Sequence, residues 1–522
     1  MTTRPTVRAS NGMVAAGHHL ATSAGLAILR EGGSAVDAAV AATAVCTVVL
    51  PGACSIGGDL FAIIYDASSR EVSAYNGSGA APAALDIARF GAEFPQSGPS
   101  LATVPGVVAA WGDLVEDHGR LGLERDLASA IAYADDGFPV SDALARAFRE
   151  LWPKLERDVE CLRVYAPRGN RPDAGAVLRQ PELAASLRAV ASAGAAAFYR
   201  GQLAEGIAAG IAAIGGVMTA DDLAAHRTDR LRPLEVAYGG LRVFGQPPVS
   251  QGHVLLEELA IAEGLDLGSL PPGGAELVHR MVEIKKLAFA DRDAFAGDPR
   301  AVDFDAWRLL EPDFVAARRE AIGARASEHA EAGLFSVPAN TTYLAVVDRD
   351  GNAASVILSV MHGFGAGVIV PGTGILLNDR ASGFSLRAGS PNALAGGKRP
   401  VHTLNAVIAL DGATPRLVFG TPGLHAQVQT NFQLAVSLIE HGLAPQEAIE
   451  LPRWYHESGR ALQTEARFPA ETQRALAALG HEIVALDEWS GRTGGAHVIA
   501  IDPSGVLSGG ADPRREGQAA GY

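Results

Sequence analysis

The chain changes character at one point, and that point limits the folds open to it. From about Val107 to Ala330 the pattern is mostly helical, with apolar residues at helical spacing over Leu127 to Asp135, Asp142 to Leu151 and Leu277 to Arg292. From Thr341 onward it is strand-like. Tyr343 to Asp348 reads as a strand, Arg349-Asp350-Gly351-Asn352 as a tight turn and Ala353 to Ser359 as the return strand. Strands are predicted at Val368 to Val370, Ile375 to Asn378, Thr403 to Leu410 and Arg416 to Gly420. Helices are predicted at His425 to His441 and Ala444 to Leu451, and a last strand at His497 to Asp502, closed by Pro503-Ser504-Gly505.

The first third carries its own strands. Met13 to Arg30 reads as a helix ending at Glu31-Gly32-Gly33. Ser34 with Asp37 opens a second helix that runs to Val49 through small apolar residues, which predicts burial on every side. The glycine turn Cys54 to Asp59 leads into a core strand, Leu60 to Tyr65, that forms a hairpin with Glu71 to Tyr75. A strand-like piece, Leu234 to Phe244, interrupts the helical middle. Ala321 to Pro338, rich in Ala, Glu and Ser, reads as an exposed flexible loop. Sheets from both halves with helices outside them predict an α+β fold, a four-layer α/β/β/α sandwich. A hydrophobic fraction of 48% supplies the core such a fold needs.

Several functions are excluded. A net charge of −15 speaks against a nucleic-acid partner, which needs clustered Lys and Arg. Cys46, Cys54 and Cys161 are too few for a disulfide framework and lack zinc-site spacing, so no metal or other cofactor is expected. Ala35 to Val49 is too short to span a bilayer and Met1 to Gly12 lacks the apolar core of a signal peptide, which predicts a cytoplasmic protein without membrane contact. There is no G-x-S-x-G elbow, Walker loop or H-E-x-x-H motif, and Gly57-Gly58 and Gly396-Gly397 lack the frame of a phosphate loop.

What remains is Asn340-Thr341-Thr342-Tyr343, a Thr pair set between a loose loop and a hairpin strand. A self-processing nucleophile would have to sit at such a junction. A threonine hydroxyl needs a base beside it, and an N-terminal threonine carries one in its own α-amine, with a pKa of about 7.7–8.0. Such an enzyme needs no catalytic triad.

Along nearly its whole length the chain resembles the γ-glutamyltransferase family of N-terminal-nucleophile hydrolases. The matching segments include Gly17-His18-His19-Leu20-Ala21, Arg30 to Ala39, Ile56-Gly57-Gly58-Asp59, Ala81-Pro82-Ala83 and Val104-Pro105-Gly106. Further on come Asn340-Thr341-Thr342, Phe364 to Gly367, Gly372 to Asn378, Lys398-Arg399-Pro400 and Gly420-Thr421-Pro422-Gly423. The resemblance implies the four-layer fold and self-cleavage between Asn340 and Thr341. Residues 1–340 would form a large fragment and 341–522 a small one, together one folded unit. It implies Thr341 as nucleophile, Ser359 as its hydroxyl partner, and Gly423 with Leu424 as backbone donors of an oxyanion hole. The family usually has a second glycine where Leu424 stands.

The positions that hold a donor's α-amino group in γ-glutamyl enzymes align here with Met361, Arg380 and Gly383. The carboxylate-gripping arginine aligns near Ile87, with Arg89 two residues on, and the serine pair after Lys-Arg-Pro is His402 and Thr403. The lid's usual tyrosine is replaced by Leu394. A site built for an ammonium has lost its acceptors and gained an arginine, which resembles the divergent branch that includes oxamate amidohydrolase. The expected substrate is a small, non-glutamyl, carboxylate-bearing amide bound by Arg380, His402, Thr403 and Arg89, with His362 a weaker candidate and Arg380 alternatively tied to a structural acid. A γ-glutamyltransferase or glutathione hydrolase and a catalytically silent binding homologue are the alternatives. A homo-oligomer is left open.

Overall fold

The computed structural model describes residues 2–328 and 339–522. Its centre follows from the strand that carries Thr341. In strand Ala339–Val347 the residues from Tyr343 to Val347 are apolar without a break, as a stretch buried on both faces requires. Leu344 and Val346 point to one core; Tyr343, Ala345 and Val347 point to another. The chain then reverses through a turn in which the Asp348 carboxylate accepts from the amides of Asp350 and Asn352, and it returns as Ala353–His362.

Two seven-stranded sheets are built around this hairpin. One runs Gln518–Gly521, Met13–Ala16, Ala339–Val347, Ala353–His362, Asp59–Asp66, Glu71–Gly77, Asp229–Leu231. The other runs Val7–Ala9, Leu507–Ala511, His497–Ile501, Thr414–Gly420, Val407–Asp411, Leu241–Gly245, Leu234–Tyr238. Phe61, Ile63, Phe244, Ile408, Val418 and Ile499 fill the space between them. Outside the first sheet lie His19–Arg30, the wholly buried Ala35–Val49, and the helices of the middle segment. Outside the second lie Gly252–Ala262, Ala275–Phe295 and Ala426–Ala435. The order helix, sheet, sheet, helix is the predicted α/β/β/α sandwich.

Ser34 caps the buried helix as expected, its hydroxyl and the Asp37 carboxylate closing a capping box. Three expectations are corrected. Met13–Ala16 is a strand, and the helix begins only at His19, because these apolar residues pair with Leu344–Val347 on one side and Gln518–Gly521 on the other. Leu234 to Phe244 is a hairpin turning at Gly239-Gly240, both at positive φ. His497–Ile501 is not the last strand: Leu507–Ala511 and Gln518–Gly521 follow it, their small residues giving little local signal. Of the predicted loop, residues 321–328 are mostly exposed, though Ala326 donates to Leu479 O and Lys286 to Ser327 O. Residues 329–338 lie outside the described residues.

Candidate active site

Thr341 is buried in its strand directly opposite Ser359, and its Oγ1 donates to Ser359 Oγ at 3.0 Å. The same Ser359 oxygen accepts from the Met361 amide at 2.7 Å. Between the pairs Thr341/Ser359 and Ala339/His362 the register slips by one residue, and Met361 takes up the slip at φ +79°. Such a bulge re-aims side chains next to a site. Gly58 is needed alongside, since a Cβ there would sit 2.4 Å from Ser359 O. Backbone packing, not phosphate binding, explains that glycine.

Facing the pair is the link between strand Thr414–Gly420 and helix Ala426–Ala435. Gly423 has φ +138° and Leu424 φ +49°. The amides of Ala426 and Gln427 are taken by Gly423 O and Leu424 O, and among the described residues no hydrogen bond reaches the amides of Gly423 and Leu424. A left-handed leucine costs about 1–2 kcal/mol, so this backbone shape is held by its surroundings, Thr421 Oγ1 accepting from Gly495 N at 2.9 Å among them.

Two cavities meet at this link. The first, about 520 Å³, is lined by Arg292, Arg380 and Arg387 against a single acid, Asp293, with Met361, Gly383 and Thr403 in its wall. The second, about 720 Å³, is lined by Thr341, Thr342, Gly423 and helix Asp142–Leu155. Leu424 and His425 belong to both walls. Arg292 donates to His425 Nδ1 at 3.1 Å, which leaves the proton of that neutral ring on Nε2. Burial, and after it Arg292, pushes the pKa of His425 well down.

Arg380 is both things the sequence left open. Its Nε meets Asp59 Oδ2 at 3.1 Å, and its Nη2 is buried without a partner on the first cavity's wall. Burial raises the Asp59 pKa despite the opposing pull of Arg380. Asn378 fixes the arginine's backbone, its Oδ1 accepting from Arg380 N and Thr103 N while its Nδ2 donates to Gly57 O. Thr403 presents a buried hydroxyl without a partner. His402 is placed differently from expectation: it is fully buried against Phe61, outside both cavity walls, its backbone held by a bridge to Ser250 in which its amide donates to Val249 O and its carbonyl accepts from Gln251 N. Burial first, then Arg380 and Arg399, pushes its pKa well down, so it is a neutral ring behind the arginine. Arg89 is exposed on the short turn Ile87–Arg89 and also lies outside both walls; Gly91 and Ala92 take the place expected for it. His362 binds Asp379 through Nδ1 at 2.8 Å, and Asp379 lies 4.0 Å from Lys154. Arg292, Arg387 and His425 were missed. Arg292 lies in the last turn of helix Ala275–Phe295, where its sequence surroundings read as an ordinary solvated face.

The one group with metal-ligand side chains among the described residues is His279, Glu283 and His481. Its atoms are already engaged: His279 Nδ1 with His481 Nε2 at 2.9 Å, His279 Nε2 with Gly323 O, and Glu283 with Lys286 at 2.8 Å. The lysine already neutralises the carboxylate, so the cluster reads as a clamp on the segment 323–327. No helix among the described residues is long and apolar enough to cross a membrane.

Fold and site together define an N-terminal-nucleophile hydrolase or transferase. The family model described as gamma-glutamyltranspeptidase matches residues 21–522. The glutathione hydrolase-like YwrD proenzyme of Bacillus subtilis is 37% identical, covering 98% of both chains. The oxamate amidohydrolase proenzyme of Klebsiella pneumoniae is 38% identical, covering 98% of this chain and 99% of its own. The crystal structure of a cephalosporin acylase from Bacillus halodurans superposes with a TM-score of 0.93 at 36% identity, over 100% of this chain and 98% of that one. The chain belongs to the γ-glutamyltranspeptidase family.

Proposed function

We propose that this chain is a self-processing threonine amidohydrolase whose acyl donor carries a carboxylate and no ammonium. Cleavage between Asn340 and Thr341 frees the Thr341 α-amine, leaving residues 1–340 and 341–522 as large and small fragments of one folded unit. The amine takes the proton of Thr341 Oγ1 as the oxygen attacks the substrate carbonyl. Ser359 orients that hydroxyl, and the amides of Gly423 and Leu424 receive the developing oxyanion. The leaving amine departs with the proton, and water resolves the acyl-enzyme.

The observation that carries the donor class is the first cavity, with three arginines against one aspartate and an Nη2 on Arg380 that lacks a partner. A buried guanidinium donor left unpaired is costly and is relieved by an anion. Met361 and Gly383 offer no side-chain acceptor for an ammonium, and Arg380 repels one. Thr403 adds a hydroxyl, while the neutral His402, packed on Phe61, takes no part in binding. By its name, the Klebsiella relative acts on oxamate, an amide that carries a carboxylate.

The processing test is a denaturing gel with N-terminal sequencing. Two pieces, the smaller starting at Thr341, are expected from the wild type and one intact chain from Thr341→Ala. An intact wild-type chain favours the silent homologue. The donor test compares kcat/KM on short dicarboxylic monoamides and on γ-glutamyl-p-nitroanilide. Faster turnover of the glutamyl compound than of every anionic, amine-free amide makes the enzyme a γ-glutamyl hydrolase or transferase and overturns the donor class.

A further inference from the structure

The second cavity carries Thr341 and Gly423 on its wall, yet the reading above assigns no part of the substrate to it. Leu424 and His425 are the residues common to both cavity walls. Leu424 also supplies one amide to the carbonyl under attack, so the reacting carbon sits where the cavities join. An amide carbon carries an acyl and an amine substituent that point away from each other. With the acyl half among the arginines, the amine half falls in the second cavity.

The wall describes that amine. Leu144, Ala147 and Leu151 from helix Asp142–Leu155 meet Leu50 and Tyr455 to form an apolar surface, while Arg146, Glu150, Arg492, Arg514 and Arg515 charge the rest of the wall. At about 720 Å³ this cavity is larger than the one assigned to the acyl group. Ammonia would leave nearly all of it unfilled, whereas an arylalkyl amine covers the apolar surface and removes it from water. Glu516, on the same wall, holds the Ala143 amide through Oε1 at 2.9 Å and keeps Oε2 buried without a partner, an acceptor for a donor on the amine half.

We infer that the second cavity binds the leaving amine, and that the enzyme acts on N-substituted amides with a bulky, largely apolar amine rather than on primary amides. The inference rests on Thr341 as nucleophile and on the arginine cavity as the acyl site. In the step, a bond forms between Thr341 Oγ1 and the carbonyl carbon and the C–N bond breaks. The hydroxyl proton passes through the α-amine to the departing nitrogen. Water then cleaves the ester, releasing the acid and restoring the threonine.

The experiment holds the acyl group constant and changes only the amine, comparing a primary amide with its N-(2-phenylethyl) counterpart, whose parent amines are similarly basic. Processed wild-type enzyme is expected to favour the phenylethyl amide in kcat/KM by about tenfold or more. Ala147→Trp, and independently Leu151→Trp, should lower that ratio by about tenfold, with release of the fragment that starts at Thr341 reporting that each variant folds. A wild-type preference for the primary amide, or an unchanged ratio in both folded variants, overturns the inference. If γ-glutamyl donors outrun the anionic ones, the acyl reading is what fails. The same ratio is then measured on glutamine and its γ-N-(2-phenylethyl) amide, and it decides the second cavity alone.

Discussion

Two buried arginine–carboxylate clusters lie within the walls of this enzyme's cavities, and they are built to opposite plans. Around Arg514 every donor is engaged. Nε and Nη2 meet Glu465 at 2.6 and 2.7 Å, Nη1 meets Asp512 and Ile449 O, and Nη2 also reaches Leu451 O. Asp512 is shared with Arg453 at 2.7 Å. Arg380 has one carboxylate, Asp59, held through Nε, and an Nη2 with no partner. The carboxyls register the difference. Burial works to raise both pKa values, but the two arginines on Asp512 hold it down to about 2, whereas Asp59 with its single arginine ends raised. A closed network fixes a structure; an open one keeps a donor for a ligand.

The hardest blow to that contrast is Arg514→Met, which takes a charged partner from two buried carboxylates at once and leaves only Arg453 on Asp512 and Arg467 on Glu465. Removing one partner of such a network costs about 3–5 kcal/mol, read as a large fall in the thermal midpoint or in the folded, processed fraction. A midpoint near wild type would show that the network is not the support described. Arg380→Met strands only Asp59, which already holds its proton more tightly than usual. Its main effect should be kinetic, a loss of about a hundredfold in kcat/KM on an anionic donor, or about 2.7 kcal/mol, with a much smaller change on a neutral amide. Equal losses on both donors would make Arg380 structural.

Acid sharpens the comparison further. The Asp512 pKa falls from 3.8 to about 2 on folding, so its contribution is fully present above the unfolded value and is lost as pH drops towards the folded one, about 2 kcal/mol in all. The stability gap between wild type and Asp512→Asn should therefore shrink from pH 4 to pH 2, followed by urea titration. Asp59, with its pKa raised, runs the other way: its ionisation weakens the fold as pH rises through the window above the ordinary carboxylate value. A gap that holds constant in acid removes Asp512 from the account. The smallest effect belongs to an exposed pair, Arg125 with Glu31. Glu31→Gln should change stability by less than about 1 kcal/mol, showing that burial and completeness, not pairing as such, separate the clusters.

Much of this site was readable before any coordinates. The strand-turn-strand from Tyr343 to Ser359 announces itself by its apolar runs and by its Asp-Gly turn, and the register then places Thr341 against Ser359. The four layers follow from helical and strand periods in both halves. What stayed hidden depends on contacts between distant residues. Asp59 lies 321 positions from Arg380, and nothing local links them. Met13–Ala16 became a strand because two partners flank it, overriding a pattern that suits a helix. His402 and Arg89 were placed by analogy of position. The fold turns the first into the core and leaves the second on the surface, while Arg292 reaches the cavity from a helix whose local pattern gives no hint of it.

The interleaving of the sheets has a further consequence. Met13–Ala16 lies between Gln518–Gly521 and Ala339–Val347, so a strand from before the Asn340–Thr341 bond is flanked on both sides by strands that run beyond it. With that bond cut as proposed, unfolding would cease to be a one-body event: the two pieces would have to come apart, and mass action would enter the equilibrium. The melting temperature of the mature enzyme should then climb with protein concentration, while that of uncut Thr341→Ala stays put. Dilution, harmless to the uncut chain, should then become a slow route to inactivation for the cleaved one.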